Sequence, residues 1–227
     1  MEFSIKNGNP EKQRSDCLIV GVYEGKKLST PAQLLDDASQ QAITAVIKAG
    51  DMQGKLASNV LLHQLPGLLA KRVLLVGLGK QVAFGQAEYL KAVRAAIKAL
   101  PEAVESVGFY MAELVAAEMN LHQKTAQIAE IVSDATYQIN ALKSKQPDSK
   151  GLKKVAIFVE KENEKEAKTA LTQGLAIAEG VKLAKDLGNL PGNICTPTYL
   201  GKQAKQLAKT YGFKVEVLEK AEIEKLG

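Results

Sequence analysis

The sequence predicts an α/β fold built around a central, largely buried sheet, and three observations point to it. Short apolar runs alternate along the chain with amphipathic helical stretches. One of those runs, Cys17–Val22, holds no charged or strongly polar side chain, as expected of a strand covered on both faces. The composition, 46% hydrophobic and 24% charged over 227 residues, is that of a globular chain able to offset its conformational entropy.

Taken in order, Phe3 and Ile5 alternate with polar neighbours in a first strand, and Cys17–Val22 is a second. Ser29 and Thr30 before Pro31 mark a helix start, because proline at the first helical position forfeits no hydrogen bond. Leu34, Leu35, Ala38, Ala42, Ile43, Val46 and Ile47 then line one face of that helix, with Gly50 as a left-handed stop. Two close strands follow, Val60–Leu65 and Val73–Leu78, separated by the turn signal Pro66-Gly67. A second helix carries Leu90, Val93, Ile97 and Leu100 and ends at Pro101, and Val104–Tyr110 reads as a strand. A third helix is expected from about Leu121 to Leu142, then a loop over 144–151 and a last strand, Val155–Val159.

Next, Ala167, Ala170, Leu171, Gly174, Leu175, Ala178, Val181 and Ala184 share one side of a long helix ending at Gly188. Beyond it, Thr196-Pro197 opens another helix, Tyr211-Gly212 turns the chain, Phe213–Leu218 reads as a strand, and a short helix reaches Leu226. The expected organisation is therefore an α/β domain over 1–160, a linker helix over 161–188, and the beginning of a second α/β domain over 189–227. This last part is too small to bury a core of its own, which favours a natural chain that continues past Gly227.

The net charge of +5, from 30 Lys and Arg against 25 Asp and Glu, is mild, and the basic residues are scattered rather than blocked. The two cysteines offer no disulfide framework, which points to a reducing cytosol. The start, Met-Glu-Phe-Ser-Ile-Lys, reads as a strand and not as a signal peptide. No apolar stretch approaches the ~20 residues of a membrane span. A soluble, cytoplasmic protein with no membrane partner is the expectation.

Few motifs suggest chemistry. Gly77, Gly79 and Lys80 stand at the end of a buried strand, where glycines can admit a phosphate to backbone amides. Val82, however, occupies the third glycine position of a dinucleotide fingerprint, and a tight turn explains the glycines as well. Gly21 to Lys26 has the wrong spacing for a phosphate loop, and Lys27 replaces its Ser or Thr. His63 and His122 lack companions at metal-ligand spacing, and Cys195 has no base that the sequence places beside it. Asp36-Asp37 and Glu162, Glu164 and Glu166 read as solvated carboxylates. No catalytic, metal-binding or cofactor-binding residue is assigned.

The most specific segment is 185–200, Lys-Asp-Leu-Gly-Asn-Leu-Pro-Gly-Asn-Ile-Cys-Thr-Pro-Thr-Tyr-Leu. Physically it is a helix end, a loop shaped by Asn189, Pro191 and Asn193, and a Thr-Pro helix start. Its pattern resembles the stretch that leads into the catalytic domain of the leucyl aminopeptidase (cytosol aminopeptidase) family. The opening Met-Glu-Phe-Ser-Ile-Lys, the Pro10–Cys17 approach to the second strand, and Arg72–Lys80 are similar to the bacterial branch of that family. The resemblance covers the whole chain and is weakest across Ala83–Lys150.

The resemblance implies a macro-domain-like amino-terminal domain, a linking helix and a carboxy-terminal catalytic domain. It implies a cytoplasmic homo-hexamer that removes amino-terminal residues from peptides using two divalent cations, Mn or Zn, which polarise the carbonyl and activate a bridging water. The family's ligand stretches, Phe-Asp-Ser/Thr-Gly-Gly and Asn-Thr-Asp-Ala-Glu-Gly-Arg, occur nowhere in these 227 residues. The chain alone is therefore expected to bind no metal and to be catalytically inactive. Two other readings stay open: a DNA-binding architectural or regulatory module of a bifunctional aminopeptidase, and a macro-like domain binding ADP-ribose or a related nucleotide near Gly77–Lys80.

Overall fold

A computed structural model of the chain describes residues 1–139 and 151–227. Its sheet has seven strands: β1 (Glu2–Lys6), β2 (Cys17–Tyr23), β3 (Lys27–Leu28), β4 (Asn59–His63), β5 (Arg72–Gly79), β6 (Ser106–Phe109) and β7 (Lys154–Phe158). The order is β1-β7-β6-β2-β5-β4, parallel throughout except for β4, which runs antiparallel to β5. Along β2, β6 reaches only Cys17–Ile19, and the short β3 turns back onto Val22 and Tyr23 beyond it. The burial on both faces expected of the continuous apolar run Cys17–Val22 is met at β2, where all seven residues are buried. Cys17, Ile19 and Tyr23 face one core with Leu74, Val76 and Leu78, while Leu18, Val20 and Val22 face another with Val73 and Leu75.

The first core is covered by α3 (Gln86–Lys98), α4 (Leu121–Ala135) and the start of α5 (Glu164–Asn189). Tyr89, Val93, Ile128, Val132, Ala167 and Leu171 are buried there. The second is covered by α1 (Thr30–Ala38) and α2 (Ala42–Ala49), through Ala32, Leu35, Ile43 and Ile47. The expected mixed α/β sheet flanked by helices is what the chain forms.

Several local expectations need correcting. The single helix from Thr30 to Gly50 is two helices, because Gln40 and Gln41 take positive φ values of 57° and 61°. The buried Asp36 carboxylate then accepts hydrogen bonds from the Thr44 amide and hydroxyl at 2.8 and 2.5 Å, capping α2 at its own start. Gly50 does stop α2 in the left-handed conformation at φ 94°. The third helix ends at Ala135 rather than near Leu142, where Thr136 turns its hydroxyl back onto the Val132 carbonyl. Leu142 and most of the 144–151 loop lie outside the described residues.

The described residues cluster into two compact units, Met1–Gln138 with 151–182, and Leu183–Gly227 with Ile139. In the second unit α5 runs on through Gly188 to Asn189, so Gly188 is an ordinary helical residue and not a stop. α6 (Pro197–Tyr211) is capped by Thr196, whose hydroxyl accepts from the Tyr199 amide at 3.3 Å, and closes on Gly212 at φ 75°. α7 (Lys220–Leu226) follows. Phe213–Leu218 is not a strand, because among the described residues no neighbouring strand shares its backbone hydrogen bonds. No residue of 183–227 is buried.

Candidate functional site

In parallel α/β sheets, ligands sit beyond the carboxyl ends of the strands, where helix amino termini offer free amides. Around the Gly77–Lys80 turn, the backbone donors bond to the chain itself. The Gly77 amide donates to the Ser58 carbonyl at 2.8 Å, the Gly79 amide to the Gly54 carbonyl at 2.8 Å, and the Glu24 amide to the Gly79 carbonyl at 2.9 Å. Gly77 lies so close to the 54–58 loop that a Cβ there would stand 1.9 Å from the Lys55 carbonyl oxygen. Glycine is needed because backbone approaches it, and the neighbour is the chain and not a phosphate. At the start of α3 the Gly85 amide donates to Glu88 Oε2 at 3.1 Å. At the start of α4, Asn120 and Gln123 satisfy each other's amides at 2.8 and 2.9 Å. Glu113 Oε1 takes the Glu160 amide and the Asn163 side-chain amide at 2.9 and 2.7 Å. The turn at Gly77–Lys80 is a packing device.

The opposite end of the sheet carries a denser polar node. Asp16, just before β2, accepts from Lys71 Nζ at 2.7 Å, the amides of Glu105 and Ser106 at 3.1 and 3.0 Å, and the Ser106 hydroxyl at 3.0 Å. Partial burial works to raise its carboxyl pKa, but these hydrogen bonds together hold it below its ordinary value. The node ties the starts of β2, β5 and β6 together and borders an open cleft of about 480 Å³. Lys124, within α4, is buried, and its ammonium donates to the Leu114 carbonyl, fixing the loop between β6 and α4. Burial pushes its pKa down, and the nearby Glu113 partly restores it.

The remaining candidates are dispersed. His63 ends β4 on the surface, and His122 pairs with Gln173 Oε1 at 2.6 Å, linking α4 to α5. Cys17 is fully buried, and desolvation pushes its thiol up to about 12, where it is inert. Cys195 is half-buried in the second unit. Among the described residues no three His, Cys, Asp or Glu side chains gather so as to hold a cation.

The loop between α5 and α6, within the 185–200 segment, is held by its own backbone. The amides of Ile194 and Cys195 both donate to the Pro191 carbonyl at 2.9 Å, and the Thr196 amide to the Ile194 carbonyl at 2.9 Å. Residues 19–146 match the model of the cytosol aminopeptidase family, N-terminal domain. The chain belongs to the cytosol aminopeptidase family. Probable cytosol aminopeptidases of Dechloromonas aromatica and Chromobacterium violaceum are each 47% identical over the whole chain, covering 46% and 44% of those proteins. The chain thus spans about half the length of the curated relatives it matches. Among solved structures, a mutant tomato leucine aminopeptidase shares the fold with a TM-score of 0.76 at 24% identity, over 100% of this chain and 46% of that one. A bottromycin maturation enzyme in complex with Mn matches with a TM-score of 0.68 at 23% identity, over 94% and 40%. In this chain the tight contact at Gly77 and the Asp16 node serve the scaffold. The roles of Asp16 and Lys124 are not legible in the sequence: the partners of Asp16 lie 55 to 90 residues away along the chain, and the burial of Lys124 is set by the fold.

Proposed function

We propose that this chain is the amino-terminal part of a leucyl aminopeptidase, a hydrolase that removes amino-terminal residues from peptides. The observation that carries this reading is the family match over 19–146, extended by 47% identity to an aminopeptidase across all of the chain. In this reading 1–160 is the amino-terminal domain, macro-like in architecture, 161–188 the linker, and 189–227 the first piece of the catalytic domain. The exposure of Leu200, Phe213, Val215, Leu218 and Ile223 supports it, because such side chains want a core that 183–227 does not supply. The complete enzyme would be a cytoplasmic hexamer. Its two cations, Mn or Zn, would sit on carboxylates and a lysine outside this chain, where they would activate water and polarise the scissile carbonyl. No helix among the described residues is long and apolar enough to cross a membrane.

What this chain's residues do is hold geometry. The Asp16 node fixes the sheet, and the loop between α5 and α6 sets where α6 begins. The purified 227-residue chain, given Mn²⁺ and leucine p-nitroanilide, is expected to show no turnover above buffer. Turnover that a chelator abolishes would place a metal centre inside this chain and overturn the assignment. The nucleotide reading finds little support in amides that are already paired at Gly77 and Gly79.

A further inference from the structure

We propose that the outer edge of β4 pairs with β4 of a second copy of this chain, antiparallel, with Leu61 on the two-fold axis. β4 ends the strand order, and its partner β5 lies on one side only. The register fixes which groups turn inward. Gly77 donates to the Ser58 carbonyl and Gln64 to the Lys71 carbonyl, so the even-numbered residues 58 to 64 bond toward β5. In an antiparallel ladder the alternate residues then aim both amide and carbonyl away. Those residues are Asn59, Leu61 and His63, and among the described residues nothing on the other side receives their backbone groups.

Sheets usually guard such an edge with lysine, proline, a bulge or other charges. The opposite edge strand, β1, carries Glu2 and Lys6. β4 reads Asn-Val-Leu-Leu-His, has no charged residue or proline, and keeps an unbroken register with β5. The sequence is also complementary to itself in this arrangement. About Leu61, Asn59 falls opposite the partner's His63, an amide facing an imidazole, and both side chains are exposed in the single chain. Val60 falls opposite the partner's Leu62, and Leu61 meets the partner's Leu61. Apolar side chains, which already flank both cores at half-burial, would then be covered on their open side. A second copy satisfies every feature of this edge, whereas an unrelated extended peptide accounts for the backbone groups alone.

The test is sedimentation velocity on the 227-residue chain over a rising concentration series, beside two double variants at exposed positions. Asn59→Lys with His63→Lys sets like charges directly opposite each other at both ends of the pairing. Asn59→Glu with His63→Lys restores opposite charges. The native chain is expected to shift from monomer to dimer, the first variant to dimerise about tenfold or more weakly, and the second to recover. Circular dichroism and melting of each variant check that the monomer fold is kept. A native chain that stays monomeric, or association indifferent to both charge patterns, would overturn the proposal; the latter would place self-association on another surface. Neither result bears on the aminopeptidase reading, which the activity measurements test separately.

Discussion

Glycine at position 77 and glycine at position 180 look alike in sequence and differ entirely in space. A Cβ on residue 77 would meet Lys55 and Ser58 within 2.4 Å, and the close atoms include backbone that has nowhere to go. Gly77→Ala is expected to cost about 3 kcal/mol or more by forcing the 54–58 loop off β5. Gly180 lies within α5 with nothing within 4 Å of a Cβ, so Gly180→Ala should add about 0.5–1 kcal/mol from helix propensity alone. Urea denaturation of both variants measures the difference. Asp16 makes a pH-dependent prediction. Because its folded pKa lies below the ordinary 3.8, the stability it supplies is complete above that value and is lost as pH falls through the lowered one. Asp16→Asn should lower stability near neutrality by about 1.5–3 kcal/mol and flatten the acid limb of the melting-temperature profile. An acid limb as steep as the native one would show that Asp16 is not its source.

Elements came out of the sequence in proportion to how local their causes are. The period-two and continuous apolar runs placed β1, β2, β5 and β7, since burial on one or both faces is written into consecutive residues. Pro31, Thr196 and Gly212 marked helix ends through chemistry confined to a few positions. What stayed hidden depends on distant partners. The strand order interleaves the first strand beside the last, and nothing in either strand names the other. Phe213–Leu218 has strand composition without a strand's partner, so its backbone stays unpaired as a ladder. The break between α1 and α2 was missed because glutamine is a good helix former and gives no sign of a left-handed bend. Holding Gln41 at φ 61° costs energy that glycine would not pay, so Gln41→Gly is expected to raise stability by about 0.5–1 kcal/mol. Thermal melting checks it, and a loss of stability would mean that the Gln41 side chain holds the bend.

At the scale of the molecule, the two units divide the labour unevenly. Residues 1–138 with 151–182 carry both hydrophobic cores, while 183–227 forms two well-capped helices without one buried side chain. Local signals thus specify the second unit's helices, while Leu200, Phe213 and Ile223 stay exposed. The candidate site followed the same logic. The Asn and Pro spacing of 185–200 marks the loop between α5 and α6 in the sequence itself. The Asp16 node is not legible there, because its partners are gathered only by the sheet. The measurement that tests the account most directly joins this chain at Gly227 to the second half of the Dechloromonas aromatica relative and follows leucine p-nitroanilide hydrolysis with Mn²⁺. The fused protein is expected to turn over substrate, where the 227-residue chain does not, and to lose that activity to a chelator. A fusion that is folded and soluble yet inactive would contradict the claim that this chain is the scaffold half of an aminopeptidase.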